Sequence, residues 1–238
     1  MIGIYDYTVW LTYASLLSAG TGIIVSLAGM GHPYIGVFFL LFCGLCDAFD
    51  GKVARTKKNR SEFECKFGIQ IDSLSDLVAF GVLPACIGEA LLRNSTALAF
   101  IHGYIKYESP WYCGVLKIGF TAVLVLYVLA ALIRLAYYNV TEELRQKTEE
   151  GIRTSFVGVP VTTAALLFPF IMLLQYLTKT DISLVYFVGI ILLGLGFLLK
   201  IKVPKPGIRG ILICLVIGFA EFLFLLFSRI FIHLPFVR

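Results

Sequence analysis

Seven long apolar runs constrain the fold of this chain more than any other feature of its sequence. Each run has close to the length of about 20 residues that an α-helix needs to cross the hydrocarbon core of a bilayer. The runs lie at roughly 8–29, 34–55, 69–92, 113–139, 156–177, 182–200 and 209–232. Because only helices and closed barrels satisfy every backbone polar group in lipid, the runs predict an all-α, polytopic membrane bundle.

Composition favours the same class of protein. Hydrophobic residues fill 59% of the 238 positions and charged residues only 15%, whereas charged residues approach about 25% in soluble domains. The net charge of +5 does not indicate a nucleic-acid partner, since the basic residues cluster between apolar runs, as membrane topology requires. We expect a single integral membrane domain over 1–238, with a six-helix core at about 8–200 and an additional C-terminal span at about 209–232.

Four aspartates lie at the ends of two neighbouring apolar runs. Asp47 and Asp50 are three residues apart, and Asp72 and Asp76 are four residues apart. On helices, both spacings place the two side chains on one face, one turn apart. Two such helices running antiparallel would bring four carboxylates into one small volume. Like charges this close cannot all stay ionised without a compensating cation, so we expect bound divalent metal, with two ions favoured.

The side chains available around these aspartates indicate which metal would bind. All three histidines fall on the predicted opposite side of the membrane, so the ligands are oxygens only, which suits Mg²⁺ or Mn²⁺ better than zinc. The alternative is that the aspartates pair with Lys52, Arg55 and Lys66 in an ordinary ionic network. The expected metal ligands are Asp47, Asp50 and Asp72, with Asp76 as a further candidate.

Lysine and arginine predict the orientation of the bundle. The loops 52–66, 134–153 and 200–209 together carry fourteen of the twenty basic residues. The positive-inside rule therefore places these loops, and the N-terminus, in the cytoplasm. Both aspartate pairs would then lie just inside the bilayer at the cytoplasmic surface of the cell membrane.

The aspartates belong to a longer pattern, D-x2-D-G-x2-A-R, then twelve residues, then G-x3-D-x3-D. Its fixed residues are Asp47, Asp50, Gly51, Ala54, Arg55, Gly68, Asp72 and Asp76. This pattern resembles the signature of the CDP-alcohol phosphotransferase family, integral membrane enzymes of phospholipid synthesis. The resemblance implies a metal-dependent transfer of a lipid phosphate group to an alcohol, with release of CMP. It also implies a homodimer.

The same resemblance implies roles for single positions. Asp76 takes the role of general base toward the acceptor hydroxyl. Gly51 and Ala54 are carried over as contacts to the nucleotide of the CDP-lipid, since small residues let a ligand approach a helix closely; by themselves they would indicate tight helix packing. Arg55, whose forked donors suit a phosphate, and Ser15 complete the expected nucleotide and CDP-lipid site.

The sequence around the last two aspartates indicates the acceptor. DSLSDLVAFGVLPA at 72–85 and SFVGVPVTTAA at 155–165 resemble phrases of the bacterial and archaeal phosphatidylserine synthases within that family. This resemblance implies CDP-diacylglycerol as the donor and L-serine as the acceptor. Another acceptor, glycerol 3-phosphate or inositol phosphate, is the main alternative. A divalent-cation transporter that uses the aspartates as a transit site is the alternative from a different class.

L-Serine carries a carboxylate that requires a cation. Arg134 lies inside an otherwise apolar run, where an arginine is costly and indicates function; snorkelling to the interface is the alternative. Arg153 is a second candidate. Ser73 is a candidate hydrogen-bond partner of the acceptor, with bonding to the backbone or a neighbouring helix as its alternative. Glu221, in the middle of the last apolar run, has no role in this scheme.

Overall fold

The computed structural model contains a helical bundle with the length and polarity of a membrane protein. Four of its helical stretches are long and apolar enough to cross a membrane, and two shorter apolar helices accompany them. The predicted helical class is therefore confirmed, with four candidate spans, while most of the span predicted at 209–232 lies outside the described residues. The structure describes residues 2–28, 32–95, 98, 111–148, 155–178, 180–204, 216–218, 220 and 223.

Most helices follow the predicted apolar runs. They are α1 Trp10–Leu27, α2 Pro33–Ala54, α3 Glu62–Asp76, α4 Leu83–Asn94, α5 Trp111–Thr148, α6 Ala164–Thr178 and α7 Ser183–Leu198. A π-helical turn, Leu77–Val82, joins α3 to α4 without a break. Two short strands, β1 Ser155–Val157 and β2 Lys202–Pro204, pair antiparallel.

The third span begins in polar sequence, seven residues before the apolar run predicted from 69. Ser61 explains this start, because its Oγ accepts a hydrogen bond from the N–H of Glu64 while the Glu64 carboxylate accepts one from the N–H of Ser61. Such a capping box satisfies donors that an isolated helix end leaves unpaired. The predicted loop 52–66 is therefore shorter, and only residues 55–61 connect α2 to α3.

Pro84 accounts for the irregular turn between α3 and α4. A proline has no backbone N–H, so the carbonyl of Phe80 lacks the donor that a regular helix would supply four residues later. The hydroxyl of Tyr127 on α5 donates to this carbonyl at 2.7 Å, and the hydroxyl of Tyr186 on α7 donates to the Pro84 carbonyl at 2.8 Å. Both tyrosines are buried, so these bonds fix the third span against α5 and α7.

Small residues allow α1 to pack directly on α2. A Cβ added to Gly22 would come within 2.8 Å of the Cβ of Phe39, so this approach requires glycine. The Ser18 hydroxyl donates to the Phe39 carbonyl at 3.1 Å, and the Cys43 thiol donates to the Ser15 carbonyl at 3.3 Å. These contacts fix the register of the two helices.

The fifth apolar run, predicted from 156, begins with strand β1 and a turn rather than a helix. Gly158 makes the turn with φ +82°, and a Cβ there would lie 3.1 Å from Nε of Arg134. Its N–H donates to the Ile201 carbonyl at 2.7 Å, and the N–H of Val159 donates to the Gly196 carbonyl at 3.2 Å. The start of the fifth span is thereby bound to the end of α7.

Lys57 links the segment before α1 to the α2–α3 connection. Its Nζ lies 2.7 Å from Oδ2 of Asp6 and 2.5 Å from Oε1 of Glu64. The hydrogen bond from Lys57 is the largest cause that lowers the pKa of Asp6 to about 2. Lys57 lies in the predicted basic loop 52–66, and a partner fifty-one residues earlier leaves no local pattern in the sequence.

Replacing Asp6 with asparagine should lower the melting temperature by about 1–4 °C, the effect of losing one partly exposed ion pair. The loss should be equal throughout about pH 5–8. A carboxylate whose pKa is lowered on folding contributes its full stabilisation when the pH is above its pKa in the unfolded chain. That contribution is lost only as the pH falls toward the folded-state pKa of about 2. Thermal unfolding of detergent-purified protein measures this, and a difference that shrinks between pH 8 and 5 would contradict it.

Candidate active site

Three aspartates from two adjacent helices meet in one cluster. Asp47 and Asp50 lie near the C-terminal end of α2, and Asp72 lies on α3. Each can offer one carboxylate oxygen such that all three oxygens lie within 4.8 Å of one another. Asp50 is buried and the other two are half-buried. The spacing of the aspartates in the sequence correctly predicted that these three side chains come together.

No cation pairs with this cluster among the residues that the structure describes. Lys66 instead pairs with Glu62, one turn earlier on its own helix, at 2.7 Å, and the Nζ of Lys52 lies 5.4 Å from the centre of the Phe49 ring. The alternative of an ordinary ionic network therefore has no contact to support it here. Three close carboxylates without a counter-charge must be protonated or bind a cation.

The chemistry of the donors fits a hard divalent ion. All three groups are carboxylates on two helices, which is the ligand type that Mg²⁺ and Mn²⁺ prefer. The cluster of Asp47, Asp50 and Asp72 could therefore hold such a metal ion.

Asp76 lies beside this cluster rather than within the set of three oxygens. It follows Asp72 by four residues on α3, so both side chains project from the same face of that helix. The two predicted roles of Asp76, as general base and as a further metal ligand, stay predictions.

Two serines attach α3 to its neighbours on either side of this acidic face. Helical periodicity places Ser73 on one flank of the face that Asp72 and Asp76 share, and Ser75 on the other. The Ser75 hydroxyl donates to the carbonyl of Thr12 on α1 at 3.2 Å. On the other flank, Nδ2 of Asn139 on α5 donates to Oγ of Ser73 at 2.7 Å. Helices α1 and α5 therefore border the acidic face.

The residues predicted to contact the nucleotide fall into two places. Gly51 and Ala54 lie in the last turn of α2, directly after Asp50, and Arg55 follows them. A Cβ on Gly51 would lie 3.5 Å from the Arg55 guanidinium, so this side chain folds back over the glycine. In the described ranges no carboxylate forms an ion pair with Arg55. Ser15 lies on α1, 3% exposed, and its Oγ has no hydrogen-bond partner there.

Arg134 is buried inside the bundle, with 5% of its surface exposed. Its Nε donates to the Val159 carbonyl at 3.2 Å, and its guanidinium carbon lies 5.5 Å from the centre of the Tyr138 ring. Such burial disagrees with snorkelling to the interface. Arg153 and Glu221, the other two charged residues considered from the sequence, lie outside the described residues.

Arg134, Tyr138 and Asn139 resemble an Arg-x-x-x-Phe-Asn element at the end of the fourth span of the phosphatidylserine synthases, but the sequence does not predict which group Asn139 contacts. It lies on α5, at the last residue of the apolar run predicted to end at 139. A polar side chain at the end of an apolar run is a further signal, but such residues are common there. Its contact with Ser73 depends on the packing of α5 against α3, which no local pattern predicts.

The bundle and the acidic cluster define a helical protein with four candidate membrane spans and a candidate divalent-metal site between α2 and α3. Comparison with protein families gives a more specific assignment. Residues 8–202 match the family CDP-alcohol phosphatidyltransferase. The chain belongs to this family of enzymes, which confirms the resemblance seen in its signature.

Curated relatives are similar over much of the same region. A "CDP-diacylglycerol--serine O-phosphatidyltransferase" of Helicobacter pylori (strain 26695) is 30% identical over 164 residues, covering 68% of this chain and 56% of that protein. Proteins with the same name from Saccharomyces cerevisiae (32% identity; 76% of this chain, 62% of that protein) and Methanocaldococcus jannaschii (28%; 81% and 72%) are also similar. The chain thus spans little more than half the length of the Helicobacter protein. No solved structure matches it.

Proposed function

We propose that this protein is a phosphatidylserine synthase, which transfers the phosphatidyl group of CDP-diacylglycerol to the hydroxyl of L-serine and releases CMP. The observation that carries the reaction class is the cluster of three carboxylates without a cation partner, within a chain of this family. The names of the relatives support serine as the acceptor.

The metal site would act on the leaving group. Two Mg²⁺ or Mn²⁺ ions held by Asp47, Asp50 and Asp72, with Asp76 as a further ligand, would neutralise the pyrophosphate of the donor. Arg55, at the end of α2, binds a phosphate oxygen through its forked donors. Gly51 and Ala54 leave room for the nucleotide along the same helix turn, and Ser15 contacts the CDP-lipid from α1.

Asp76 would act on the acceptor. Its carboxylate takes the proton from the serine hydroxyl, and the hydroxyl oxygen forms a bond to the lipid-linked phosphorus. The bond between that phosphorus and the oxygen of CMP breaks at the same centre, so CMP leaves with the electron pair. Arg134 holds the serine carboxylate. Ser73 contacts the acceptor from α3 through a lone pair of its oxygen, since its proton is donated to the Ile69 carbonyl.

The proposed setting is the cell membrane, with the active site toward the cytoplasm. The basic loops support this orientation through the positive-inside rule. Membrane lipid surrounds the bundle, and the family resemblance supports a homodimer.

Release of CMP by the purified protein tests the proposal. The protein is incubated with CDP-diacylglycerol and Mn²⁺ or Mg²⁺, and L-serine, glycerol 3-phosphate and inositol phosphate are compared as acceptors. Release that depends on serine alone supports both reaction and acceptor. Release with a phosphorylated acceptor would keep the reaction class and overturn the role of Arg134. The absence of release with every acceptor, in protein that binds metal, would favour the transport alternative.

Replacing Arg134 with alanine should raise the KM for serine by about tenfold or more, because a charge-assisted hydrogen bond to the carboxylate is lost. The KM for CDP-diacylglycerol should change much less. Steady-state CMP release with each substrate varied in turn measures both values. An unchanged KM for serine would exclude Arg134 from the acceptor site, and an equal rise in both values would indicate that its bond to Val159 serves the fold instead.

A further inference from the structure

We infer that Asn139 determines acceptor specificity, because its side-chain oxygen is placed to bind the ammonium group of an amino-alcohol acceptor. The inference rests on the proposed function and deepens it. Serine differs from the phosphorylated acceptors by its ammonium group, and the residues considered so far provide only for its carboxylate and its hydroxyl.

The hydrogen bonds around Ser73 fix the orientation of the Asn139 amide. A serine hydroxyl has one proton to donate, and Ser73 donates it to the Ile69 carbonyl at 3.1 Å. Oγ of Ser73 can then only accept from Asn139, so the group 2.7 Å away is the amide nitrogen. The Asn139 oxygen consequently points away from Ser73. No group in the described part of the chain donates to this oxygen, and the side chain is half-buried.

The location of this oxygen suits a cation that arrives with the acceptor. Ser73 directly follows Asp72 on α3, so Asn139 lies on the α5 border of the acidic face. The carboxylates would attract an ammonium group at this place. The uncharged amide oxygen of Asn139 would accept a hydrogen bond from it. Asn139 and Arg134 lie on the same helix, with a rise of about 7.5 Å between them. The two positions also differ by about 140° of rotation around α5, so Asn139 is placed at the acidic face by its bond to α3, independently of Arg134.

The wild-type protein is tested first, so that failure of the proposed function is seen before any variant is made. If CMP release does not depend on serine in the wild type, the proposed function fails by itself. If it does, two variants of similar size separate the roles of Asn139. Leucine removes the acceptor oxygen, whereas aspartate keeps an oxygen at the same place.

Asn139→Leu should raise the KM for serine on the order of tenfold to a hundredfold, the effect of losing a hydrogen bond to a charged group. Asn139→Asp should keep the KM for serine within about threefold of the wild type. The KM for CDP-diacylglycerol should stay the same in both, which also reports correct folding. Thr141→Ala is the matched control on the same helix, since its hydroxyl bonds only to carbonyls of α5.

Competition by 3-hydroxypropanoate, which is serine without the amine, provides the second measurement. Asn139→Leu should raise the KM for serine but leave the inhibition constant of this analogue unchanged. An equal rise in the KM for serine in Asn139→Leu and Asn139→Asp would overturn the inference. It would indicate that Asn139 only holds Ser73 in place. An unchanged KM for serine in Asn139→Leu would also overturn the inference. So would an equal rise in the KM for serine and in the inhibition constant of the analogue.

Discussion

Replacing Asp50 with asparagine is expected to lower metal-dependent CMP release by a factor of roughly a thousand or more, because several kcal/mol of metal-mediated stabilisation of the transition state are lost. Asp50 is the most buried of the three clustered carboxylates. Asparagine preserves its size but removes the charge, so the remaining two carboxylates would hold a divalent ion much more weakly. Asp47→Asn and Asp72→Asn should have effects of the same kind.

The assay follows CMP release from CDP-diacylglycerol over a range of Mn²⁺ concentrations, with binding of Mn²⁺ measured separately by its paramagnetic resonance signal. Asp6→Asn is the matched control, because it removes a carboxylate that pairs with Lys57 and not with the cluster. That control should keep wild-type activity below its melting temperature. An Asp50→Asn variant with unchanged metal dependence would remove the cluster from catalysis.

Replacing Asp76 with asparagine should lower turnover by about a hundredfold to ten-thousandfold, the usual contribution of general base catalysis. Binding of CDP-diacylglycerol should survive, since the oxygens of Asp47, Asp50 and Asp72 form their cluster without Asp76. A variant that still binds the donor but turns over slowly would identify Asp76 as a general base rather than as a metal ligand.

Equilibrium binding of the CDP-lipid and single-turnover CMP release measure these two properties separately. If Asp76→Asn loses donor binding together with turnover, Asp76 belongs to the metal site and the base must be another group. If turnover is retained, Asp76 has neither role. Asp181→Asn is a useful control at another place in the bundle, where the carboxylate accepts hydrogen bonds from Ser95 and from the N–H of Ser183.

The acidic cluster could be predicted from the sequence because its geometry is local. Residues three or four apart share a face on any helix, and a short connection between two apolar runs makes those helices antiparallel neighbours. Asp47, Asp50 and Asp72 meet for these reasons alone. The spans were predictable on similar grounds, since hydropathy reports which residues face lipid or a packed interior.

Features that depend on packing between distant segments could not be predicted in this way. The bond between Asn139 and Ser73 joins residues sixty-six positions apart, and that between Lys57 and Asp6 joins residues fifty-one apart. Both need the relative position of helices that hydropathy does not specify. The early start of α3 is different, because the capping box at Ser61 is a local signal. Hydropathy does not report it, because the first turn of α3 is polar.

The π-helical turn Leu77–Val82 fixes how far α3 is rotated about its axis relative to α4. A π-helical turn accommodates one residue more than the α-helix around it, and one residue corresponds to about 100° of rotation. Deleting a single residue there would leave length and hydropathy almost unchanged. It would nevertheless turn the aspartates of α3 away from α2 whenever α4 keeps its own packing. Tolerance to substitution and tolerance to deletion should therefore differ sharply within this one turn.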